Sequence, residues 1–210
     1  MNWLFSPPSL DDQIRLLKAW RFWVLGALAG ALLGATLFYI VPPPYRARAT
    51  VNVDFNLEEA WPQETDRQQF YYLERETRKL EEIAWSDAVM QSVADASGVD
   101  VSTLRDKVLS LSQPGEAGWH FYADERDSGQ AASIAATWAL VFTEQAQEDV
   151  ATQAGLNSFI RLDATQVKDL PVHRSISLGT YLFSGSVGFL TLSALLVLFV
   201  KPKHEQSLVE

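Results

Sequence analysis

Residues 22–41 read FWVLGALAGALLGATLFYIV, a run of twenty residues without a charged side chain. An α-helix rises about 1.5 Å per residue, so this run spans about 30 Å, the thickness of the hydrocarbon core of a bilayer. Pro42, Pro43 and Pro44 follow directly, and proline ends a helix because it has no backbone N–H to donate. The run therefore predicts a membrane-spanning helix.

A second uncharged run near the other end, residues 176–200, predicts a second membrane-spanning helix. For the first run the alternative is a cleaved signal peptide, but the apolar part of a signal peptide has about 7–15 residues. The greater length here favours a retained anchor. The predicted plan is a lead (1–21), a span (22–41), an α/β domain (42–175), a span (176–200) and a tail (201–210).

Charge is distributed unevenly along the chain, whose formal net charge is −9. The central domain holds 12 Lys and Arg against 22 Asp and Glu, a net of −10, so the flanks carry +1. Basic residues beside the spans favour the cytoplasmic side of a membrane. We therefore expect both ends in the cytoplasm and the central domain outside it. An acidic domain argues against nucleic-acid binding, and the lack of cysteine excludes disulfides and thiolate sites.

Small residues recur every four positions in both predicted spans. The first span has Gly26, Gly30 and Gly34, and the second has Thr180, Ser184 and Gly188. Such spacing leaves one helix face nearly free of side chains, which lets another helix approach closely. We expect helix packing, either within the chain or between copies. The alternative is that glycine is simply common in membrane helices.

The central domain predicts alternating strands and helices. Residues 45–55 alternate small or apolar side chains with polar ones, the pattern of a half-buried strand. Helical periodicity and turn signals then predict helices over 66–83, 86–96 and 127–154, and strands over 107–112, 119–123 and 159–168. This order predicts an α+β membrane protein whose outer domain has a ferredoxin-like (split βαβ) fold.

The pattern of chemically reactive residues argues against an enzyme. Histidine occurs only at His120, His173 and His204, and no HExxH or phosphate-loop motif is present. Asp124, Glu125 and Asp127 could hold a hard cation, but a polar turn followed by a helix cap explains them better. We expect no catalytic residue, metal or cofactor.

Arg46 and Arg48 are the candidate contact residues. Both fall on the outward face of the first predicted strand, where they could contact an anionic lipid, a lipid-linked glycan or a neighbouring subunit. The alternative is that they are ordinary edge-strand charges, which discourage aggregation.

Two motifs resemble the polysaccharide co-polymerase, or chain-length determinant (Wzz-type), family. Pro44-Tyr45, followed by a strand containing Ala49 and Thr50, resembles the family's proline–tyrosine strand. Asp127 with Ala131 and Ala132 resembles its Asp-Pro-x-x-Ala-Ala helix start, although Ser128 replaces the proline. Family members also carry a long helical arm, for which only residues 144–158 are available here.

The resemblance implies a non-enzymatic homo-oligomeric ring in a bacterial inner membrane. Such rings regulate the length or export of O-antigen, capsule or exopolysaccharide beside a polymerase or an export channel. Two alternatives stay open: a membrane adaptor that activates a separate cytoplasmic tyrosine kinase, and a two-span envelope sensor.

Overall fold

A computed structural model describes residues 10–60, 66–112, 118–152 and 156–199. The predicted tail (201–210), which includes His204, lies outside these residues. The chain divides into two compact units, Met1–Pro43 with Ile176–Glu210, and Pro44–Ser175. We call the second unit the α/β domain.

The elements are, in chain order, α1 (Leu10–Lys18), α2 (Trp20–Ile40), β1 (Tyr45–Asp54), α3 (Leu57–Ala60), α4 (Asp66–Ala84), α5 (Asp87–Ser97), α6 (Val101–Thr103) continued by a π-helical turn (Leu104–Val108), β2 (Leu109–Leu111), β3 (Trp119–Glu125), α7 (Ser128–Ala151), β4 (Arg161–Gln166), β5 (Val172–Arg174) and α8 (Leu178–Phe199). These elements confirm an α+β chain in which two apolar helices, α2 and α8, flank an antiparallel sheet domain. Both helices are long and apolar enough to span a membrane.

Glycine brings α2 and α8 into backbone contact. A methyl group added at Gly30 would overlap the carbonyl group of Gly185, and one added at Gly34 would overlap the carbonyl of Tyr181. One added at Gly26 would overlap the hydroxyl of Ser193. Positions that advance along α2 therefore meet positions that recede along α8, so the two helices run antiparallel. The glycine spacing is used for packing within the chain.

The predicted contact residues on α8 behave differently. A methyl group at Gly188 would meet nothing within 4 Å, whereas one at Gly185 would overlap the backbone of Gly30. Gly188 therefore lies away from this contact. Gly185 occupies the position in the contact that the four-residue spacing predicted for Gly188. Ser184 is exposed and lines a groove beside the contact, together with Gly34 and Leu37.

Adding one methyl group at Gly30 should separate α2 from α8. Because the chain has no cysteine, a Phe38→Cys/Tyr181→Cys pair, at positions whose rings lie 5.5 Å apart, can be joined specifically by a short bismaleimide. In the full-length protein we expect an intrachain crosslink, whose yield falls several-fold with Gly30→Ala, since the methyl group has no space. Gly188→Ala is the matched control and should leave the yield unchanged. A crosslink that joins two chains would contradict this packing.

The sheet of the α/β domain has β1 at its centre. The strand order is β2-β3-β1-β4, with β5 also paired to β1, and all pairs are antiparallel. On one side of β1, β4 reaches Thr50 and β5 begins at Ala47, so residues 167–171 interrupt that edge. The edge-strand explanation is therefore wrong for Arg46, because β1 is paired on both sides there, whereas Arg48 lies at the interruption between β4 and β5.

The core lies between the sheet and α4, α5 and α7. Ala47, Ala49 and Val51 on β1 are completely buried, as the alternation of the sequence predicts. α7 packs across β1 and β3 and contributes small buried residues to the contact, among them Ala131, Ala135 and Ala139. Alanine on both surfaces lets helix and strand approach closely. The indole of Trp138 also donates to the carbonyl oxygen of Ala84 at 2.9 Å.

A buried carboxylate joins α4 to the segment before β4. The side chain of Glu76 is fully buried, and its Oε1 accepts from Arg75 Nε at 2.8 Å and Lys79 Nζ at 3.0 Å. Its Oε2 accepts from the backbone N–H of Asn157 at 3.3 Å. A buried carboxylate needs such partners, because it has left the water that would otherwise solvate it.

Replacing this carboxylate should destabilise the α/β domain. Glu76→Gln removes the charge and gives the cationic partners an amide N–H₂, so we expect a loss of about 1–3 kcal/mol in the free energy of unfolding. Urea titration of the full-length protein, followed by tryptophan fluorescence, measures this loss. Glu74→Gln, at an exposed position of the same helix, should change stability little. Equal stability of both variants would contradict a structural role for Glu76.

Candidate functional site

Six side chains form a polar face on β1 and β3, opposite the core. Their positions alternate with the buried ones, so period-two geometry places them on the other side of the sheet. The register pairs Arg46 with Asp124, Arg48 with Tyr122 and Thr50 with His120. We call these six residues the polar face. Arg46 and Arg48, the arginines singled out from the sequence, both belong to it.

Arg46 is engaged by Asp124. Its Nε donates to Oδ1 at 2.7 Å and its Nη2 donates to Oδ2 at 2.6 Å, a bidentate ion pair. The guanidinium also lies 5.7 Å from the centre of the Tyr122 ring. The hydrogen bond to Asp124 raises the pKa of Arg46 against the opposing effect of burial. Both oxygens of the Asp124 carboxylate therefore accept hydrogen bonds from Arg46.

Among the described residues, Arg48 lacks such a partner. No ion pair or hydrogen bond joins its side chain to another residue in the part of the chain that the structure describes, and its Nε is buried. The two arginines are two residues apart on one strand face and nonetheless differ in availability. Arg46 joins β1 to β3 through Asp124, whereas the guanidinium of Arg48 has no such partner among the residues that the structure describes.

His120 lies beside Arg48 on the polar face. Its Nδ1 is 3.1 Å from the hydroxyl of Thr50, and its ring packs edge-on to Tyr122 with centroids 6.1 Å apart. Burial lowers the pKa of His120, and the positive charge of Arg48 lowers it further. The imidazole is therefore neutral at pH 7, because its ordinary pKa is already about 6.5.

The first family-like motif begins β1. The carbonyl oxygen of Pro44 accepts from the backbone N–H of Ser175 at 2.9 Å. The ring of Tyr45 lies 3.7 Å from the guanidinium carbon of Arg174, its neighbour on β5. Ala49 is buried in the core. Pro44 and Tyr45 thus join the first and last residues of the α/β domain.

The second family-like motif begins α7. The carboxylate of Asp127 accepts from the backbone N–H of Gln130 at 2.8 Å, which caps the helix. Ala131 is buried, and Ala132 packs against the core from a partly exposed position. Every residue of this motif has a structural role in the fold.

The three acidic residues considered as a cation site have other partners. Asp124 pairs with Arg46, Glu125 accepts from the backbone N–H of Arg126, and Asp127 caps α7. Within residues 10–60, 66–112, 118–152 and 156–199, no group of three His, Asp or Glu side chains is arranged to hold a metal ion.

Sequence reasoning missed Tyr122 and the pairing of Asp124. The predicted third strand ended at residue 123, one residue before Asp124. The alternation of Trp119, Phe121 and Ala123 with polar residues indicates that Tyr122 faces away from the core. The register between β3 and β1 decides which arginine pairs with Asp124, and the sequence does not give this register.

Comparison with models of known protein families, with curated proteins and with solved structures gives no match to this chain. The resemblance to chain-length determinants therefore rests on the order and spacing of its two motifs.

Removing the charge of Arg48 should raise the pKa of His120. In Arg48→Gln we expect the pKa to move part of the way back toward about 6.5, since burial continues to lower it. Arg48→Lys keeps the charge and should keep the pKa lowered. NMR titration of the His120 ring in the full-length protein measures both values. An unchanged pKa in Arg48→Gln would contradict the proximity of the two side chains.

Proposed function

We propose that this chain is a non-enzymatic, homo-oligomeric regulator of the length or export of a bacterial surface polysaccharide. In this proposal α2 and α8 anchor it in the inner membrane, both chain ends are cytoplasmic, and the α/β domain lies outside the cytoplasm. Two apolar helices that flank an acidic domain support the anchoring. The basic residues beside the helices support the orientation.

We also propose a ferredoxin-like description for the α/β domain. The strand order β2-β3-β1-β4 supports it, because the first and third strands are central and all neighbours are antiparallel. Helices occupy the connection between β1 and β2 and the connection between β3 and β4. Both features are expected of a split βαβ arrangement.

The main support for this function is where the two family-like motifs lie in the fold. Pro44 and Tyr45 join the two ends of the α/β domain, and Asp127 starts the helix that packs across the central strand. A scaffold that acts by its shape depends on such structural contacts. The motifs therefore occur where a shared architecture would require them.

A membrane adaptor for a separate cytoplasmic kinase is the second candidate. The pairing of β1 with β5 favours it, because the strand after α2 and the strand before α8 are hydrogen-bonded neighbours. A change in the α/β domain would then act on the start of β1 and the end of β5 together. Deletion of residues 201–210 should abolish kinase activation in this case, and unchanged activation would contradict it.

The length distribution of the surface polysaccharide tests the main proposal. A strain that lacks this chain should show a shifted distribution on a gel. The wild type and Gly188→Ala should restore it, and Gly30→Ala should restore it poorly, because its helix packing is disturbed. An unchanged distribution in the deletion strain would contradict the proposed function.

A further inference from the structure

Arg48 is a half-buried cation that has no counter-ion among the residues that the structure describes. Its Nε is inaccessible to solvent and has no acceptor in the part of the chain that the structure describes. A buried N–H without an acceptor is unfavourable, because it has lost its hydrogen bond to water. Asp124 is the carboxylate of the polar face, and both of its oxygens already accept hydrogen bonds from Arg46. The domain therefore keeps a positive charge that an external anion would neutralise.

The neighbours of Arg48 add hydrogen-bonding groups to this charge. Tyr122 lies directly opposite on β3, and the Thr50–His120 pair lies at the next outward-facing position along the strands. On the other side of β1, the partner strands are interrupted between Thr50 and Ala47. Arg48 thus lies among a phenol, a hydroxyl and an imidazole, next to a break in the sheet edge.

We propose that Arg48 and the Thr50–His120 pair bind a phosphate group. A guanidinium offers a planar fork of N–H donors that matches the oxygens of phosphate. The Thr50 hydroxyl and the neutral His120 imidazole share one hydrogen bond, so the pair has one proton left to donate, in a direction different from that of the guanidinium. A phosphate, with three free oxygens, can accept from the guanidinium and from this donor together, whereas a carboxylate has only two oxygens. The phosphate belongs either to a soluble phosphate compound or to a lipid headgroup. This inference does not depend on a role with polysaccharide.

The net negative charge of the chain determines which control variant the binding experiment needs. With a net charge of −9, any loss of a cation weakens anion binding in a non-specific way. Screening over about 8 Å at physiological salt limits this effect but does not remove it. The control must therefore remove the same charge elsewhere, and Arg78 on the exposed side of α4 offers it.

The first arm uses the full-length protein in maltoside micelles, which contain no phosphate. Inorganic pyrophosphate is added at constant ionic strength, and NMR follows the Nε–H of Arg48 and the ring of His120. We expect saturable shifts of both signals. Arg48→Gln should weaken binding at least tenfold, as judged by the His120 ring, whereas Arg78→Gln should leave it nearly unchanged.

The second arm distinguishes the sources of phosphate. The protein is placed in phosphatidylglycerol nanodiscs without pyrophosphate, and the same signals are recorded. Shifts that Arg48→Gln removes would assign the site to a lipid headgroup, and binding of pyrophosphate alone would assign it to a soluble compound. No saturable shift with either source would overturn the proposal. Equal weakening by Arg48→Gln and Arg78→Gln would overturn it too. Neither result bears on polysaccharide length, which the deletion strain tests separately.

Discussion

Backbone contact between α2 and α8 is the constraint on which the organisation of the chain depends. At Gly30 and Gly185 neither helix has space for a side chain, so two segments more than a hundred residues apart in sequence meet at their backbones. Taken by itself, the α/β domain also brings together segments that are far apart in sequence, because Pro44 at its start is hydrogen-bonded to Ser175 at its end. Each unit thus joins the two halves of the chain independently.

This contact limits how copies of the chain can associate. The face of α2 that carries Gly26, Gly30 and Gly34 is already covered by α8, so it is not free to join a second copy. An oligomer would have to use other surfaces, such as the exposed side of α8 that carries Ser184 and Gly188. Within the α/β domain, an ion pair also determines which group can bind a partner. Because Asp124 pairs with Arg46, it does not neutralise the charge of Arg48.

The sequence predicts the elements better than their contacts. Alternation along β1 predicts that Ala47 and Ala49 are buried and that the arginines face away, because period two depends on local geometry alone. It does not separate Arg46 from Arg48, since that difference depends on the register to a strand some seventy residues later. Likewise, four-residue spacing from Ser184 selects Gly188 instead of Gly185, because the contacting face of α8 is set by its partner helix. β5 was missed because three residues carry too little pattern, and its pairing with β1 defines it.

The oligomeric state of the full-length protein tests the central claim most directly. Native mass measurement in nanodiscs, combined with direct imaging, would count the copies and show their arrangement. The proposed scaffold predicts a closed ring of several copies, in which the α2–α8 contact remains within each chain. A stable monomer or dimer would contradict the ring and would favour the adaptor.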